Sequence, residues 1–334
     1  VTWWRSAGGV EALKALVAGL PPDFPGALLV VLHVPHDAPS ALPAILDRAG
    51  PLPARHAVDG EELRPGRVYV APADRHLLVI GGRIRLSHGP SENGHRPAID
   101  PLFRSAARAY GRRVVAVVLS GSRDDGAAGL QTVAAHGGLT VVQDPADALF
   151  PSMPAAALAR ATPDHVLPAA KIGGLLTGIT AMSLPDPTPA DDRPDPQLDL
   201  EVAMSDLADV TTADLPVAPA GYGCPSCGGS LHELGHEPLP RFRCRVGHAW
   251  SPESLLDEQA VATEGALWMA LRALEEKAAL SRRMADGHSG GHVSDRYDRS
   301  AREAEKAGRL IRRLIDELGS PPVEEPGPAP AEQR

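Results

Sequence analysis

With 334 residues, 43% of them hydrophobic and only 4% aromatic, the chain can build an aliphatic core and is longer than a typical single domain. Its net charge is −9, and residues 181–220 carry −8 of it, with eight Asp and one Glu against Arg193; the rest is near neutral and lacks the basic face of a nucleic-acid binder. No apolar run approaches a membrane span, and no basic stretch leading into an apolar core opens the chain, so the expectation is a cytoplasmic protein without membrane insertion.

Residues 1–4 read as a stub of strand, Ser6-Ala7-Gly8-Gly9 as a turn, and residues 10–20 as a helix with Leu13, Leu16, Val17 and Leu20 on one face. Residues 28–33 (LLVVLH) are a near-continuous apolar run, the pattern of a strand buried on both faces. Short strands follow at 67–71, 76–80 and 83–87, the last two joined by Gly81-Gly82 as a hairpin. A second buried strand at 114–119 leads into a helix over 126–136, and another strand spans 139–142. This alternation over residues 1–180 predicts an α/β domain with an open, doubly wound, mainly parallel sheet. Residues 181–220 combine seven Pro with the acidic run and read as an extended or disordered linker. A small Cys/His unit occupies 221–250, a helical region 251–319, and a Pro/Glu-rich disordered tail 320–334. In the helical region Ala304, Ala307, Ile311, Leu314 and Leu318 step as an apolar stripe.

All three cysteines lie in the Cys/His unit. Cys224-x2-Cys227 forms a knuckle, and Cys244 and His248 supply a second pair after a hairpin-sized gap. Three thiolates and one imidazole suit a closed tetrahedral Zn²⁺ site, structural because no position stays open for chemistry. A unit of this size has too little core to fold alone, and a metal would supply the missing stability. His232 and His236 also fall inside the loop; His248 is preferred as fourth ligand because Cys244-x3-His248 can put both ligands on one turn.

Three further residues sit at strand ends or strand-to-helix turns, where open α/β sheets gather their ligands: Ser6, His33 and Asp125. A serine hydroxyl needs an imidazole to take its proton, and a carboxylate fixes that imidazole's tautomer. The helix after Ala7 offers backbone N–H groups to an oxyanion. Each residue also has a simpler reading: Ser6 as a helix cap, His33 as a satisfied strand-end histidine, Asp125 as a turn residue.

Six motifs in order decide between these readings: SAGGVEAL at 6–13, LHVPHD at 32–37, VYVAPADRHLLV at 68–79, GHRPAIDPLF at 94–103, LSGSRDDGAAGL at 119–130 and QDPADALFPSMP at 143–154. In these motifs the chain resembles the catalytic domain of the CheB-type protein-glutamate methylesterases of bacterial chemotaxis. That resemblance implies a Rossmann-like fold, Ser6 as nucleophile and His33 as its base. The family's Gly-x-x-x-Asp-Gly motif falls on Gly121 to Gly126, which makes Asp125, and not Asp124, the triad carboxylate. It further implies hydrolysis of γ-glutamyl methyl esters on the cytoplasmic helices of a methylated chemoreceptor, with release of methanol, deamidation of receptor glutamines, and no catalytic cofactor. The stretch RFRCRVGHAWSPESLL resembles the C-terminal extension of some stand-alone members, whose helices would pack together or against a signalling partner.

Two features depart from the family. Trp4 and Arg5 precede Ser6 where members carry Gly and a small residue, and Arg123 occupies a spot that is small in the family's loop. There is no room before Ser6 for the receiver domain that members commonly carry, so control by phosphorylation within this chain is not expected. An inactive signalling adaptor is the alternative that Trp4 and Arg5 keep open. A generic lipase is disfavoured, because no Gly-x-Ser-x-Gly elbow surrounds Ser6.

Overall fold

The computed structural model describes residues 8–34, 40–182, 194–207, 218–234, 240–287 and 291–319. The strand stub expected at 1–4, with Trp4, Arg5 and Ser6, lies outside the described residues, as do His236 and the tail from 320. The chain divides into two units, 1–256 and 257–334.

In the first unit the apolar runs become parallel strands. Helix α1 (Gly9–Ala18) leads to β1 (Ala27–Val30), and α2 (Leu42–Ala49) leads to β2 (Ala54–His56) and β3 (Arg67–Val70). These three strands pair in parallel in the order β1-β3-β2. The Gly81-Gly82 turn joins β4 (His76–Ile80) to β5 (Arg83–Ser87) as the expected antiparallel hairpin. Helix α3 (Ile99–Tyr110) precedes a second parallel set, β6 (Val115–Val118), β7 (Leu139–Gln143) and β8 (His165–Leu167), in the order β6-β7-β8. Helices α4 (Ala127–Ala135) and α5 (Ser152–Arg160) alternate with those strands, and α6 (Ala169–Thr180) follows them.

Neighbouring residues on one strand feed two different cores. Val68 and Val70 of β3 pack with Leu16 of α1, Leu46 of α2 and Ile172 of α6. Tyr69, between them, packs with Phe103 of α3, Leu130 of α4 and Ala157 of α5. On β7, Val141 joins the first core and Val142 the second. Strands with helices on both faces are what a doubly wound fold requires, and each fully buried aliphatic side chain contributes about 1.5–3 kcal/mol. Helices α1 and α6 cross closely at Gly173, where a Cβ would lie 2.5 Å from the Leu16 carbonyl oxygen.

The expectation of an extended or disordered linker over 181–220 is corrected at 194–207. Pro196–Ser205 is a helix, α7, with Asp195 as N-cap accepting from Leu198 N at 2.9 Å and Pro196 in its first turn. Leu198, Val202 and Met204 are buried, and Glu201 forms ion pairs with Arg241 and Arg243. Burial and charge pairing outweigh a Pro/Asp composition that, by itself, favours an extended chain.

The Cys/His unit is an antiparallel sheet in the order β12-β11-β10-β9, with β9 (Pro219–Gly223), β10 (Ser230–Leu234), β11 (Arg241–Cys244) and β12 (Ala249–Trp250). Its small core comprises Cys224, Leu231, Phe242, Cys244, Trp250 and Leu255. Helix α8 (Pro252–Asp286) runs on into the second unit, where it pairs with α9 (His292–Gly319) through the ion pairs Arg282–Glu305 and Arg312–Glu275. The buried positions of α9 are Ala301, Ala304 and Gly308, whereas Leu314 and Leu318 of the expected stripe are exposed. Among the described residues no helix is long and apolar enough to cross a membrane.

Candidate active site and metal centre

His33 stands three residues beyond β1, and Asp125 stands in the loop between β6 and α4. The two are separated by 92 positions in sequence and meet in a buried hydrogen bond, Nε2 to Oδ2 at 2.7 Å. Both oxygens of Asp125 are occupied. Oδ2 also accepts from Ile99 N at 2.7 Å, and Oδ1 accepts from Asp100 N at 3.2 Å and Asn93 Nδ2 at 3.5 Å. The carboxylate therefore sits on the first-turn N–H groups of α3, the positive end of its dipole. Burial opposes its charge, but the hydrogen bond and charge of His33, the Ile99 N–H and the charge of His95 outweigh burial and hold Asp125 below the usual carboxylate range.

The start of α1 lies against the same strand ends. Gly8 caps that helix with φ +89, and a Cβ there would fall 2.4 Å from Ser120 Oγ. A Cβ on Gly9 would fall 2.9 Å from Leu32 Cδ1 and 3.4 Å from the Ser120 carbonyl oxygen. At Gly8 both the left-handed backbone and the approach to Ser120, which follows β6, call for glycine. Ser6 itself lies outside the described residues.

The neighbouring carboxylates have other partners. Asp124 accepts from Ser254 Oγ at 2.7 Å. Asp100 accepts from Gly126 N at 3.1 Å and Gly129 N at 2.6 Å; burial and the Asp125 charge push it up to about 7. Arg123 is half-buried in a left-handed backbone conformation, φ +66.

Asn93, His95 and Asp100 have no role among the sequence expectations. His95 stacks on His33, ring centroids 3.9 Å apart and 11° from parallel. Two of these residues, His95 and Asp100, belong to the GHRPAIDPLF stretch, which carried the signal: a histidine and a carboxylate within six residues of a helix start.

The second cluster is in the Cys/His unit. Sγ of Cys224, Cys227 and Cys244 and a ring nitrogen of His248 all lie within 4.8 Å of one another, a group that could hold a metal ion. Cys227 and Cys244 sulfurs are 3.6 Å apart, and Cys244 Sγ is 3.5 Å from His248 Nδ1. Hydrogen bonding from Cys244, then His248 and Trp250, draws the Cys224 thiol down to about 3. His232 stands outside this group.

Comparison with known proteins gives the family of the first half of the chain. The family model described as CheB methylesterase matches residues 2–176. A protein-glutamate methylesterase/protein-glutamine glutaminase of Anaeromyxobacter dehalogenans is 42% identical over 175 residues, 52% of this chain and 51% of the relative. One of the same name from Myxococcus xanthus is 45% identical over 150 residues, 45% of this chain and 42% of the relative. The crystal structure of the Thermotoga maritima CheB methylesterase catalytic domain superposes with a TM-score of 0.50 at 34% identity, covering 52% of this chain and 93% of that one. The chain spans about half the length of the curated relatives it matches.

Proposed function

The chain belongs to the CheB methylesterase family, and from that premise we propose that it hydrolyses γ-glutamyl methyl esters on a methylated chemoreceptor, with deamidation of receptor glutamines as a second acyl transfer at the same site. The observation that carries the reading is the buried 2.7 Å bond between His33 Nε2 and Asp125 Oδ2, beside a helix whose N-cap, Gly8, Ser6 precedes by two residues. Asp125 holds the proton of His33 on Nε2, which leaves Nδ1 as the base. Ser6 Oγ attacks the ester carbonyl carbon while Nδ1 takes its proton. The tetrahedral oxyanion collapses, methanol leaves with that proton, and an acyl-serine remains. Water then attacks the acyl carbon and gives a proton to Nδ1; as the second tetrahedral intermediate collapses, Nδ1 returns that proton to the leaving Ser6 Oγ, which frees the glutamate side chain, Ser6 and the neutral imidazole. The first-turn N–H groups of α1, which have no partner inside the helix, are the oxyanion donors nearest Ser6 in sequence. A signalling adaptor has no use for a His–Asp pair buried in this way.

The test is methanol release from a methylated receptor fragment, comparing the chain with Ser6→Ala. Release that disappears in the variant supports the esterase. Release that persists in it removes Ser6 from the mechanism.

For the Cys/His unit we propose a structural Zn²⁺ held by Cys224, Cys227, Cys244 and His248. A tetrahedron with Zn–S of about 2.3 Å and Zn–N of about 2.0–2.1 Å has edges of about 3.8 Å (S to S) and about 3.6 Å (S to N). The 3.6 and 3.5 Å separations here fit those edges. The ion would close the β9–β12 sheet around its small core, and elemental analysis should find about one zinc per chain; a folded preparation without metal refutes the site.

A further inference from the structure

Resting on the esterase reading, we infer that the Cys/His unit is part of the active-site scaffold: it fixes Asn93, and Asn93 fixes the Asp125 carboxylate. Asn93 is a positioning residue.

The contacts are buried and directional. Asn93 is 3% exposed, with a left-handed backbone, φ +53. Its backbone N–H donates to the Ala249 carbonyl at 2.8 Å, and its Oδ1 accepts from Ser251 N at 2.9 Å. With Oδ1 committed to that N–H, Nδ2 must face the other way, toward Asp100 Oδ2 at 3.3 Å and Asp125 Oδ1 at 3.5 Å. A flipped amide would set an oxygen against two carboxyl groups and an NH₂ against an N–H, so the Ser251 N–H, directly after the last strand of the Cys/His unit, decides which end Asp125 meets. Asp125 Oδ1 has two donors, Asp100 N and Asn93 Nδ2, and together they resist rotation of the carboxylate away from His33.

Three more ties run between the same two regions. Arg243 Nη2 donates to Glu92 Oε1 at 2.9 Å, Ala249 N to the Ser91 carbonyl at 3.3 Å, and Ser254 Oγ to Asp124 Oδ1 at 2.7 Å. Residues 91–93 and 124 are thus held by residues 243, 249, 251 and 254. Two of those holders flank metal-ligand candidates directly: Arg243 precedes Cys244, and Ala249 follows His248. Metal occupancy and the setting of Asp125 share one short stretch of backbone. A structural ion in this unit therefore acts on the esterase site without touching substrate.

The test uses the full chain, loaded with Zn²⁺ or stripped by a chelator, and reads amide hydrogen exchange. Stripping should lower protection about tenfold or more in residues 90–101, well beyond any change in α1 and α6, and should broaden the low-field proton of the His33–Asp125 bond. Unchanged exchange at 90–101, or equal loosening in α1 and α6, overturns the inference. Asn93→Ala provides the second arm, since it leaves the four ligands in place. It should retain zinc, shift the low-field proton, and lower kcat for methanol release about tenfold with KM unchanged, the effect of one lost buried hydrogen bond to a charged group. Unchanged kcat and proton signal in that variant also overturn it. Exchange and the proton signal do not depend on turnover, so they decide this coupling even if the wild-type chain releases no methanol and the esterase reading itself fails.

Discussion

Two adjacent aspartates, chemically identical, take different work from the partners that surround them. Asp125 receives N–H donors on both oxygens, from His33 and Ile99 on one and from Asp100 and Asn93 on the other. An asparagine there must turn its NH₂ toward one of these donor pairs, and facing His33 it would also demand the wrong imidazole tautomer. Asp125→Asn should therefore cost about 10⁴-fold in kcat, the scale of such a change in a serine triad. Asp124 accepts only a hydroxyl donation from Ser254 in the described contacts, which an asparagine oxygen can still accept. Asp124→Asn should stay within about tenfold of wild type. Turnover numbers for the two variants check the pair, and the reverse ranking would transfer the triad role to Asp124. In the sequence, only the resemblance of the Gly121–Gly126 stretch to the family's Gly-x-x-x-Asp-Gly motif singles out Asp125 over Asp124. No propensity or periodicity separates the two.

At the scale of elements, legibility followed the range of the interactions that hold each one. The β4–β5 hairpin is local, a two-glycine turn between two short strands, and the structure reproduces it residue for residue. Helix α7 is held from far away. A ten-residue helix is marginal by itself, and this one depends on Glu201, which accepts from both terminal nitrogens of Arg241 at 2.7 and 2.6 Å and lies beside Arg104 and Arg243. Its Asp195-Pro196 start was readable as a cap, but the prolines and acids around it dominated the composition. The stripe on α9 differs for a related reason. The face that meets α8 is built of Ala301, Ala304 and Gly308, because close helix packing selects small residues that hydropathy alone ranks low. Removing one partner from a buried charge network leaves the others uncompensated, so Glu201→Ala should destabilise the first unit by about 3–5 kcal/mol. Denaturant unfolding measures it, and a loss under about 1 kcal/mol would mean that α7 is a surface ornament.

For the whole of the first unit, one buried cluster joins regions that the sequence keeps apart: Glu92 and Arg104 from the α/β layers, Glu201 from α7, Arg241 and Arg243 from the Cys/His unit. No sequence pattern announces such a junction, since each residue alone looks like an ordinary surface charge. Its consequence is a pH dependence with a definite sign. Burial raises both glutamates, but Arg104 and then Arg243 hold Glu92 far below its ordinary 4.5, and Arg241, Arg104 and Arg243 do the same for Glu201. A carboxyl depressed in the folded state contributes stability that is complete above its unfolded value and is lost as pH falls toward its folded one. The clustered glutamates therefore make the unit acid-labile from about pH 4.5 downward. Asp100 works in the opposite direction: raised to about 7, it contributes stability that is complete below 3.8 and lost as pH rises through that folded value. The two trends cross in mildly acidic solution, where the unit should be most stable. Thermal unfolding followed across pH 2–8 in wild type and Glu92→Gln checks this. The variant should be less stable at neutral pH, with two buried arginines missing a countercharge, and its acid limb should be shallower because one depressed carboxyl is gone. Parallel acid limbs in the two proteins would show that acid unfolds the unit somewhere other than at this junction.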